Sequence, residues 1–259
     1  MSRSYSRNLH LGALIGDWTI KENFSRGAQA DIYVVSKINE YTTTDKCLMK
    51  VDKRPGKGAV DIETTVYSLL HDKFPQHNFA ELYGNGTIQM KSRPELHRRD
   101  FIVMKRLGDT LHTLSSSGDL SKVTFVPRWT SSLVRQLQCT HKLNYVHRDV
   151  GQRNIVTGPP GSSSEHDVFL IDFASSAKFY DESKKEFIRS SVHDNSRRND
   201  LVRLLKTMIK FVESISPKNK NSTHPTKKKL QETCTYVENL GDEQEPNYDR
   251  VCNMLSYVG

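Results

Sequence analysis

The chain has 259 residues, 36% of them hydrophobic, which is enough for a sizeable core in one two-lobed domain or in two small domains. It contains no run of 18 apolar residues, and Met1–Leu11 is polar with scattered basic residues, so we expect neither a membrane span nor a secretory signal. Its four cysteines are far apart and lack the spacing of zinc ligands, which indicates a reduced intracellular protein in the cytoplasm or the nucleus.

The formal net charge of +8 comes partly from a basic run between Lys218 and Lys229. Such a charge favours acidic partners and leaves nucleic-acid binding open. No aromatic residue is interleaved with the run, however, so a platform on which bases could stack is not visible there. The sequence therefore predicts a solvated basic loop and does not indicate a nucleic-acid partner.

The N-terminal part of the chain has the alternating pattern of β-strands around a single helical stretch. The predicted strands are a hairpin from Asp17 to Val35 that turns near Arg26-Gly27, followed by Cys47–Val51, Leu82–Ile88 and Phe101–Met104. The helical stretch is Val60–His71, in which Ile62, Val66 and Leu69/Leu70 share one face. We expect a five-stranded antiparallel sheet with one helix.

After Gly108 the pattern becomes mainly helical. The predicted helices are Phe125–Leu143, Asp200–Ser214 and Tyr248–Leu255, and the predicted irregular segments are Thr157–Ser164 and Ser216–Thr226. In the first of these helices Trp129, Leu133, Leu137 and Thr140 fall on one stripe, which indicates a helix packed along one side.

One segment has the spacing of a phosphoryl-transfer site. It reads His147-Arg148-Asp149-Val150-Gly151-Gln152-Arg153-Asn154, and Asp172-Phe173 follows after a short hairpin, 18 residues beyond Asn154. Phosphoryl transfer needs a carboxylate that accepts the hydroxyl proton, and hard oxygen ligands that hold Mg²⁺ on the ATP phosphates. Asp149 fits the first role, and Asn154 with Asp172 fits the second. The order of these parts is that of the catalytic loop and metal-binding turn of protein kinases.

The chain resembles eukaryotic-type protein kinases of the casein kinase 1 group, and within that group the vaccinia-related kinase branch. Besides the catalytic loop, the resemblance is carried by Leu48-Met49-Lys50-Val51, Glu63-Thr64-Thr65-Val66-Tyr67, Val103-Met104-Lys105-Arg106-Leu107-Gly108, Ser196-Arg197-Arg198-Asn199-Asp200-Leu201 and Glu245-Pro246-Asn247-Tyr248-Asp249. It extends from about Trp18 to the C-terminus and is compatible with a viral chain that works inside a host cell.

This resemblance implies an α+β protein with the two-lobed protein kinase fold: an antiparallel β-sheet lobe with one main helix, and a mostly helical C-terminal lobe. Residues 1–104 would form the lobe that covers ATP, residues 105–108 the hinge, and residues 109–259 the lobe with the catalytic loop. Mg·ATP is expected in the cleft between the lobes. We expect a monomer that phosphorylates serine or threonine hydroxyls of a protein substrate.

The resemblance also assigns residues to the nucleotide. Lys50 is the expected phosphate-pairing lysine, oriented by an ion pair with Glu63. The phosphate-covering loop is degenerate, because the three glycine positions of its pattern read Ser25, Gly27 and Ala30. The residues expected around the purine and the hinge are Phe24, Ile32, Leu48, Met104, Leu107, Val156 and Ile171, with Met104 beside the adenine slot.

Two departures from the family pattern fall within the catalytic segments. Gly151 occupies the place where serine/threonine kinases usually have a lysine that neutralises the transferring phosphoryl group. Arg153 is the candidate that supplies the missing charge, and we expect it to be a catalytic residue. Ala174 replaces the glycine after Asp172-Phe173, at a position where an unusual φ would have a modest cost.

Three residues beside the loop are expected to serve structure. By the same resemblance, His147 and Phe173 are packing residues rather than acid/base groups. Asp200 should be buried and accept hydrogen bonds from main-chain N–H groups of the catalytic loop.

The segment after the metal-binding turn is shorter than in the group. Only 25 residues run from Asp172 to Ser196, no substrate-docking motif is recognisable, and the helices between Ser214 and Pro246 look curtailed. Together with the degenerate glycine loop, this leaves open a pseudokinase that binds a nucleotide or a partner without transferring phosphate. Arg153 and the stretch Gly27-Ala28-Gln29-Ala30 leave open a kinase directed to tyrosine or to a small molecule.

Overall fold

The computed structural model describes residues 9–27, 29–38, 47–53, 58–89, 98–190, 195–216 and 224–256. Contacts divide the chain into one unit of Met1–Thr65 with Ala80–Arg106 and a second unit of Val66–Phe79 with Leu107–Gly259. The first consists mainly of an antiparallel sheet and the second mainly of helices, a composition compatible with a kinase fold. Within the described ranges, no helix has both the length and the apolar composition needed to cross a bilayer.

The described part of the first unit contains one antiparallel sheet. Its strands are β1 (Leu14–Ile15), β2 (Trp18–Arg26), β3 (Ala30–Lys37), β4 (Cys47–Asp52), β5 (Leu82–Gln89) and β6 (Arg98–Lys105). Their spatial order is β1-β2-β3-β4-β6-β5, so β6 lies between β4 and β5. The five predicted strands are confirmed. Strand β1 was not predicted, since two residues are too short for a readable alternation.

The apolar core of this unit lies on one face of the sheet. Alternate residues of a strand point to the same face, and the core cluster takes every second residue of β3 and β4. Its buried members are Ile15, Trp18, Ile20, Tyr33, Val35, Met49, Val51, Phe101 and Val103. The residues between them therefore project from the opposite face, where Ile32 lies opposite Lys50 and Leu48 lies opposite Met104.

Helix α1 (Ala59–Lys73) confirms the predicted helix but not the whole of its predicted face. Val66 and Leu70 are buried as expected, whereas Ile62 is 36% exposed. Glu63 is buried instead, at 1% exposure. The buried stripe can include a carboxylate because Glu63 has a cationic partner on β4.

The second unit contains the remaining helices and several short strands of the described residues. The helices are α2 (Leu111–Ser117), α3 (Val126–Lys142), α4 (Arg197–Ile215), α5 (Pro225–Glu238) and α6 (Tyr248–Leu255), with 3₁₀ turns at Leu120–Phe125 and Phe173–Ser175. The strands are β7 (Tyr145–Val146), β8 (Ile155–Thr157), β9 (Val168–Leu170), β10 (Ala177–Lys178), β11 (Tyr180–Asp181) and β12 (Glu186–Phe187). They pair as β7 with β10, β8 with β9, and β11 with β12.

Helix α3 confirms its prediction: Trp129, Leu133, Leu137 and Thr140 are all buried. Helix α6 has the predicted bounds. Helix α5 was not predicted. Its buried stripe contains threonines and a cysteine beside Leu230 and Val237, which gives a weak hydrophobic signal.

The predicted basic loop is also partly helical. Lys227–Lys229 belong to α5, which begins after His224 caps its first turn. The rest of the run, residues 218–223, lies outside the described residues. All four cysteines of the chain are described, and none of them forms a disulfide.

Candidate active site

The segment His147–Asn154 is a loop between β7 and β8. Asn154 Nδ2 donates to the Asp149 carbonyl at 2.8 Å and to Asp149 Oδ2 at 2.9 Å. The Asn154 N–H donates to Gly151 O at 2.9 Å, which closes the loop. Asp149 is thus oriented by one side chain while it stays exposed. This geometry suits a group that takes a proton from an external hydroxyl.

A buried carboxylate of α4 anchors the start of the loop. Asp200, 1% exposed, accepts hydrogen bonds from the His147 N–H at 2.6 Å and the Arg148 N–H at 2.9 Å. The predicted role of Asp200 is therefore confirmed. Arg148 has a left-handed φ of 70°, and its carbonyl accepts a bond from Arg203 at 2.8 Å. Such a φ persists in a non-glycine residue when its surroundings fix it, as these bonds on both sides of Arg148 do.

The anchor continues to the C-terminal helix through His141. The His141 Nε2 lies 3.0 Å from Asp200 Oδ2, and its Nδ1 lies 2.7 Å from Tyr248 Oη. Burial alone would raise the pKa of Asp200, but the hydrogen bond and charge of His141, with the hydrogen bond from the His147 N–H, outweigh it and lower that pKa. Burial raises the pKa of Tyr248, so its hydroxyl keeps its proton. Tyr248 of the motif Glu245–Asp249 thereby supports the catalytic loop.

His147 is fully buried and bonded at both ring nitrogens. Its Nδ1 accepts from the Asp149 N–H at 3.3 Å, and its Nε2 lies 3.1 Å from Ile171 O. This pattern requires a neutral ring with its proton on Nε2. Burial lowers the pKa of His147, in agreement with a neutral ring. Its ring centre lies 4.8 Å from that of buried Phe173, so the predicted packing roles of both residues are confirmed.

Strand β9 leads into the turn that carries Asp172. Asp172 has φ 68° and ψ 68°, in the left-handed region. The unusual φ expected at Ala174 was placed at the wrong residue, since it occurs at Asp172. Aspartate tolerates this conformation better than most side chains. Ala174 does not have a positive φ, so it carries no such strain.

The turn and the catalytic loop are joined through Asn154. The Ile171 N–H donates to Asn154 O at 2.9 Å. Since the Asn154 amide nitrogen is used by Asp149, its side-chain oxygen is left, and within the described part of the chain that oxygen accepts no hydrogen bond. A carbonyl oxygen in this state is a suitable ligand for a hard cation such as Mg²⁺.

In the first unit, Lys50 and Glu63 form the predicted ion pair. Lys50 Nζ lies 2.7 Å from Glu63 Oε2, and the two side chains are 13% and 1% exposed. The pair is therefore largely shielded from solvent and is not a surface ion pair. A buried carboxylate at this distance holds the long lysine side chain in one orientation.

A second carboxylate ties β4 to the helix that carries Glu63, and sequence reasoning missed it. Asp52 Oδ2 accepts from the Val60 N–H at 3.3 Å, and the Asp52 carbonyl accepts from Arg99 Nε at 2.6 Å. Burial raises the pKa of Asp52, and nearby carboxylates add to this. The available signal was position: Asp52 follows Lys50 by two residues and so shares its strand face.

Part of the predicted purine-binding set shares the sheet face of Lys50. By register, Ile32, Leu48 and Met104 project from that face, and all are partly buried. Phe24 lies at a bulge of β2 and is 46% exposed, with the Arg106 guanidinium 5.1 Å from its ring centre. The other predicted members, Leu107, Val156 and Ile171, belong to the second unit.

Gly27 lies in the turn between β2 and β3. Its N–H donates to Ala30 O at 2.9 Å, and its carbonyl accepts from Lys53 Nζ. A Cβ at this position would lie 3.0 Å from Ala30 O, so the tight turn favours glycine. A phosphate contact by the Gly27 N–H would have to compete with the bond already made.

Gly151 stands where the family pattern has a lysine, and Arg153 is the candidate for the missing charge. Both positions are accessible. Arg153 is exposed, and no hydrogen bond or ion pair links it to other described residues. A Cβ built at Gly151 meets no atom within 4 Å, so a larger side chain fits there.

The segment after the metal-binding turn forms the hairpin β11–β12. Asn144, with a left-handed φ of 65°, donates Nδ2 to Tyr180 O at 2.7 Å and accepts from the Tyr180 N–H at 3.0 Å. The Arg197 guanidinium lies 4.9 Å from the ring centre of Phe179. Asn144 was also missed; the signal was its residue type, since asparagine is enriched at left-handed positions.

The two C-terminal motifs contact each other through Arg197 Nη1, which lies 3.9 Å from Glu245 Oε2. Arg198 donates to Leu240 O at 3.0 Å and pairs with Asp242 at 2.5 Å. Arg197 donates to Glu243 O at 2.9 Å. The basic start of α4 is therefore joined to the acidic segment before α6.

Comparisons with known proteins agree with the family expectation at a distance. The chain is similar to casein kinase I homolog 3 of Schizosaccharomyces pombe, with 25% identity over 195 residues, which covers 58% of this chain and 44% of that protein. It is similar to casein kinase 1-like protein HD16 of Oryza sativa subsp. japonica, with 27% identity over 219 residues, 69% of this chain and 31% of that protein. Casein kinase I homolog 2 of Schizosaccharomyces pombe shares 25% identity over 191 residues, 58% and 44% of the two chains. The chain thus spans less than half the length of these relatives, and no protein-family model matches it.

Proposed function

We propose that this chain is a protein kinase that transfers the γ-phosphoryl group of ATP to serine or threonine hydroxyls of proteins. The observation that carries the proposal is the catalytic loop: an exposed Asp149 oriented by Asn154, in a loop whose main chain is anchored by buried Asp200. Similarity to casein kinase 1 proteins supports the same reaction class. The vaccinia-related branch is a finer proposal based on the motifs Ser196–Leu201 and Glu245–Asp249.

In this proposal Asp149 is the proton acceptor. The hydroxyl oxygen of the substrate forms a bond to the γ-phosphorus, the bond from that phosphorus to the ADP oxygen breaks, and the hydroxyl proton passes to the Asp149 carboxylate. The bond from Asn154 keeps one carboxylate oxygen turned inward, which leaves the other for the substrate. A positioned base of this kind contributes about 10²–10⁴ to the rate.

Lys50 and Glu63 would hold the nucleotide phosphates. Lys50 supplies a positive charge, and the buried Glu63 restricts its side chain to one orientation. Ile32, Leu48 and Met104 would provide an apolar surface for the purine on the same sheet face. Phe24 and Gly27 would contribute from the β2–β3 hairpin. The expected members in the second unit are Leu107, Val156 and Ile171. In the same proposal residues 1–104 and 109–259 are the two lobes of the kinase fold, and residues 105–108 are the hinge.

Asn154 and Asp172 would bind the Mg²⁺ ion. The Asn154 amide oxygen accepts no hydrogen bond among the described residues, and the backbone of Asp172 is in the left-handed region. An amide oxygen and a carboxylate form a donor set of the type this ion prefers. When bound, the ion neutralises charge on the phosphates. Arg153 would add the positive charge that Gly151 lacks.

A pseudokinase is the second candidate, and one specific observation favours it. The Gly27 N–H is already bonded to Ala30 O, in a loop that has serine and alanine at its other glycine positions. This loop would bind phosphates weakly. The chain would then use the fold to hold a partner or a nucleotide.

Purified protein incubated with labelled ATP, Mg²⁺ and generic acidic and basic protein substrates tests the proposal. Wild type should transfer phosphate, and Asp149→Asn should lower the rate by at least about a hundredfold. ATP should raise the melting temperature more with Mg²⁺ than with EDTA, and Asp172→Asn should remove that difference.

Stabilisation by ATP without any transfer would favour the pseudokinase. Equal transfer by wild type and Asp149→Asn would show that Asp149 is not the base.

A further inference from the structure

Gln136 of helix α3 bonds to strand β9 as a neighbouring strand would. Its side chain is buried, with Nε2 donating to Val168 O at 2.8 Å and Oε1 accepting from the Leu170 N–H at 2.8 Å. Alternate residues of a strand direct their backbone polar groups to the same edge, and β8 pairs with β9 along the other edge. Gln136 therefore completes the hydrogen bonding of a strand that has only one strand partner among the described residues.

The bonds of Gln136 are specific to an amide. Both Val168 and Leu170 are fully buried, so their main-chain groups need protein partners. An apolar side chain would fill the same space but leave both groups unbonded, and a carboxylate could accept from Leu170 but would face Val168 O with a second acceptor. Ser132 Oγ accepts a third bond from Gln136 Nε2 at 3.3 Å, which orients the amide.

Strand β9 runs directly into the metal-binding turn. After Leu170, the Ile171 N–H is bonded to Asn154 O, and Ile171 O to His147 Nε2 at 3.1 Å. The next residue is Asp172, with its left-handed φ of 68°. A conformation of this kind persists only where the surrounding structure over-determines it.

We propose that Gln136 is a positioning residue for Asp172: its amide fixes β9 so that the Asp172 carboxylate is presented for Mg²⁺. This inference rests on the proposed role of Asp172 in the kinase reaction. It assigns to α3 a part in metal binding that the spacing of the sequence motifs does not show, because Gln136 is 36 residues from Asp172.

The test compares Gln136→Met with two controls. Gln136→Met removes both bonds to β9 at nearly constant volume. Gln138→Met removes an amide of the same helix that bonds Arg135. Val237→Ala removes apolar contacts at a buried position of α5 and lowers stability without touching β9. For each protein, the thermal shift by a non-hydrolysable ATP analogue is measured over a Mg²⁺ titration and in EDTA, and amide exchange is measured at Leu170–Phe173.

Gln136→Met should need about tenfold more Mg²⁺ for the half-maximal shift, or about 1.4 kcal/mol. Its amides at Leu170–Phe173 should exchange faster, and its analogue binding in EDTA should be unchanged. Both controls should keep the wild-type Mg²⁺ dependence. If Gln136→Met is merely less stable, as Val237→Ala is, and keeps the wild-type Mg²⁺ dependence, the inference is overturned while the proposed function stands. If wild type itself shows no Mg²⁺-dependent shift, the metal-binding role of Asp172 fails, and the inference fails with it.

Discussion

At the scale of single residues, the first unit places a charged pair where only 13% of Lys50 and 1% of Glu63 remain exposed. Burial of this extent costs solvation of both charges, which their mutual attraction offsets only while both are present. Function and stability are therefore coupled at this pair. The effect of a substitution at Lys50 or Glu63 therefore requires a measurement of activity and a measurement of stability.

Lys50→Met should lower phosphoryl transfer by at least about a hundredfold, because no charge is left to align the phosphates. It should also destabilise the protein by about 3 kcal/mol, the lower end for breaking a buried pair, because Glu63 stays buried and charged. The double variant Lys50→Met/Glu63→Gln should recover most of the stability and none of the activity. Chemical denaturation and a transfer assay on the three proteins check this. Activity recovered in the double variant would refute the phosphate role of Lys50.

Arg153→Ala should lower turnover about tenfold or more, with a smaller effect on ATP affinity, as for a group that acts in the transition state. Adding Gly151→Lys should restore part of the turnover, since the space at 151 is open. Steady-state kinetics provide both parameters, and Lys142→Ala, which removes an exposed cation at the end of α3, controls for net charge. Unchanged turnover in Arg153→Ala would assign Arg153 to the surface.

Contacts within one contiguous motif could be predicted from spacing, and the pairing of Lys50 with Glu63 and of Asp200 with the catalytic loop could be predicted from the family resemblance. Asp149 and Asn154 are five residues apart, so their spacing alone brings them into contact. Asp52 and Gln136 could not be predicted in the same way. Their partners, Val60 and β9, are brought to them by the packing of helices on strands, which no local pattern encodes.

At the scale of elements, the hairpin β11–β12 has its fold from contacts within the second unit. Asn144 holds Tyr180 through both main-chain groups, and Asp181 Oδ1 accepts from the N–H and hydroxyl of Ser183. No phosphate is required by any of these contacts. The segment therefore differs from loops that are ordered by phosphorylation.

Asn144→Gly should loosen the hairpin, because it keeps the left-handed backbone but loses two hydrogen bonds. Asn144→Ala should be less stable than Asn144→Gly by about 1 kcal/mol, because alanine is strained at positive φ. Amide exchange at Tyr180 and denaturation midpoints measure the two effects. Equal stability of the alanine and glycine variants would mean that position 144 does not keep its left-handed conformation.

Phosphatase treatment should leave activity unchanged, and so should replacing Ser175, Ser176, Ser183, Ser190 and Ser191 with alanine. Ser176 is only 3% exposed, and the Ser183 hydroxyl is bonded to Asp181 at 2.6 Å. Ser191 lies outside the described residues. A large loss of activity in either experiment would show that the segment is a phosphorylation switch.

Elements with a strong apolar period could be predicted, and elements held by other contacts could not. Helix α3 has a full apolar stripe and was predicted to within a residue, with its start at Val126. Helix α5 has threonine and cysteine at buried positions, and the hairpin strands have two residues each. Neither leaves a pattern long enough to read.

At the scale of the whole molecule, the two units contain titrating groups whose pKa values are shifted in opposite directions. In the first unit the pKa of Asp52 is raised from 3.8, chiefly by burial. In the second, burial lowers the pKa of His147 from 6.5, and the pKa of Asp200 is lowered from 3.8. A raised carboxyl pKa gives stability in acid that is lost as the pH rises through the folded value. A lowered folded pKa gives stability at higher pH, and this stability is lost as the pH falls through that pKa.

Acidification below about pH 6.5 should therefore weaken the second unit first, as His147 is forced to take a proton. Asp52→Asn should raise the melting temperature at neutral pH, and the gain should shrink as the pH falls, because Asp52 with its raised pKa then takes up a proton. Asp61→Asn, an exposed acid in the first turn of α1, should give no such gain. Calorimetry from pH 8 to pH 4 with these variants checks the signs. A pH-independent gain for Asp52→Asn would contradict them.

The Asp200 side chain holds the catalytic loop through main-chain N–H groups of the loop. Every residue other than proline has such a group. Substitution of the side chains at 147 and 148 therefore leaves both anchoring donors in place, and the anchor at Asp200 does not depend on the side chain that the loop carries at 149. Such a scaffold permits evolutionary drift in which reactivity disappears while the form of the loop is inherited. For the experimentalist it permits a substrate trap, since a loop made inert at Asp149 should still present the surface that a substrate recognises.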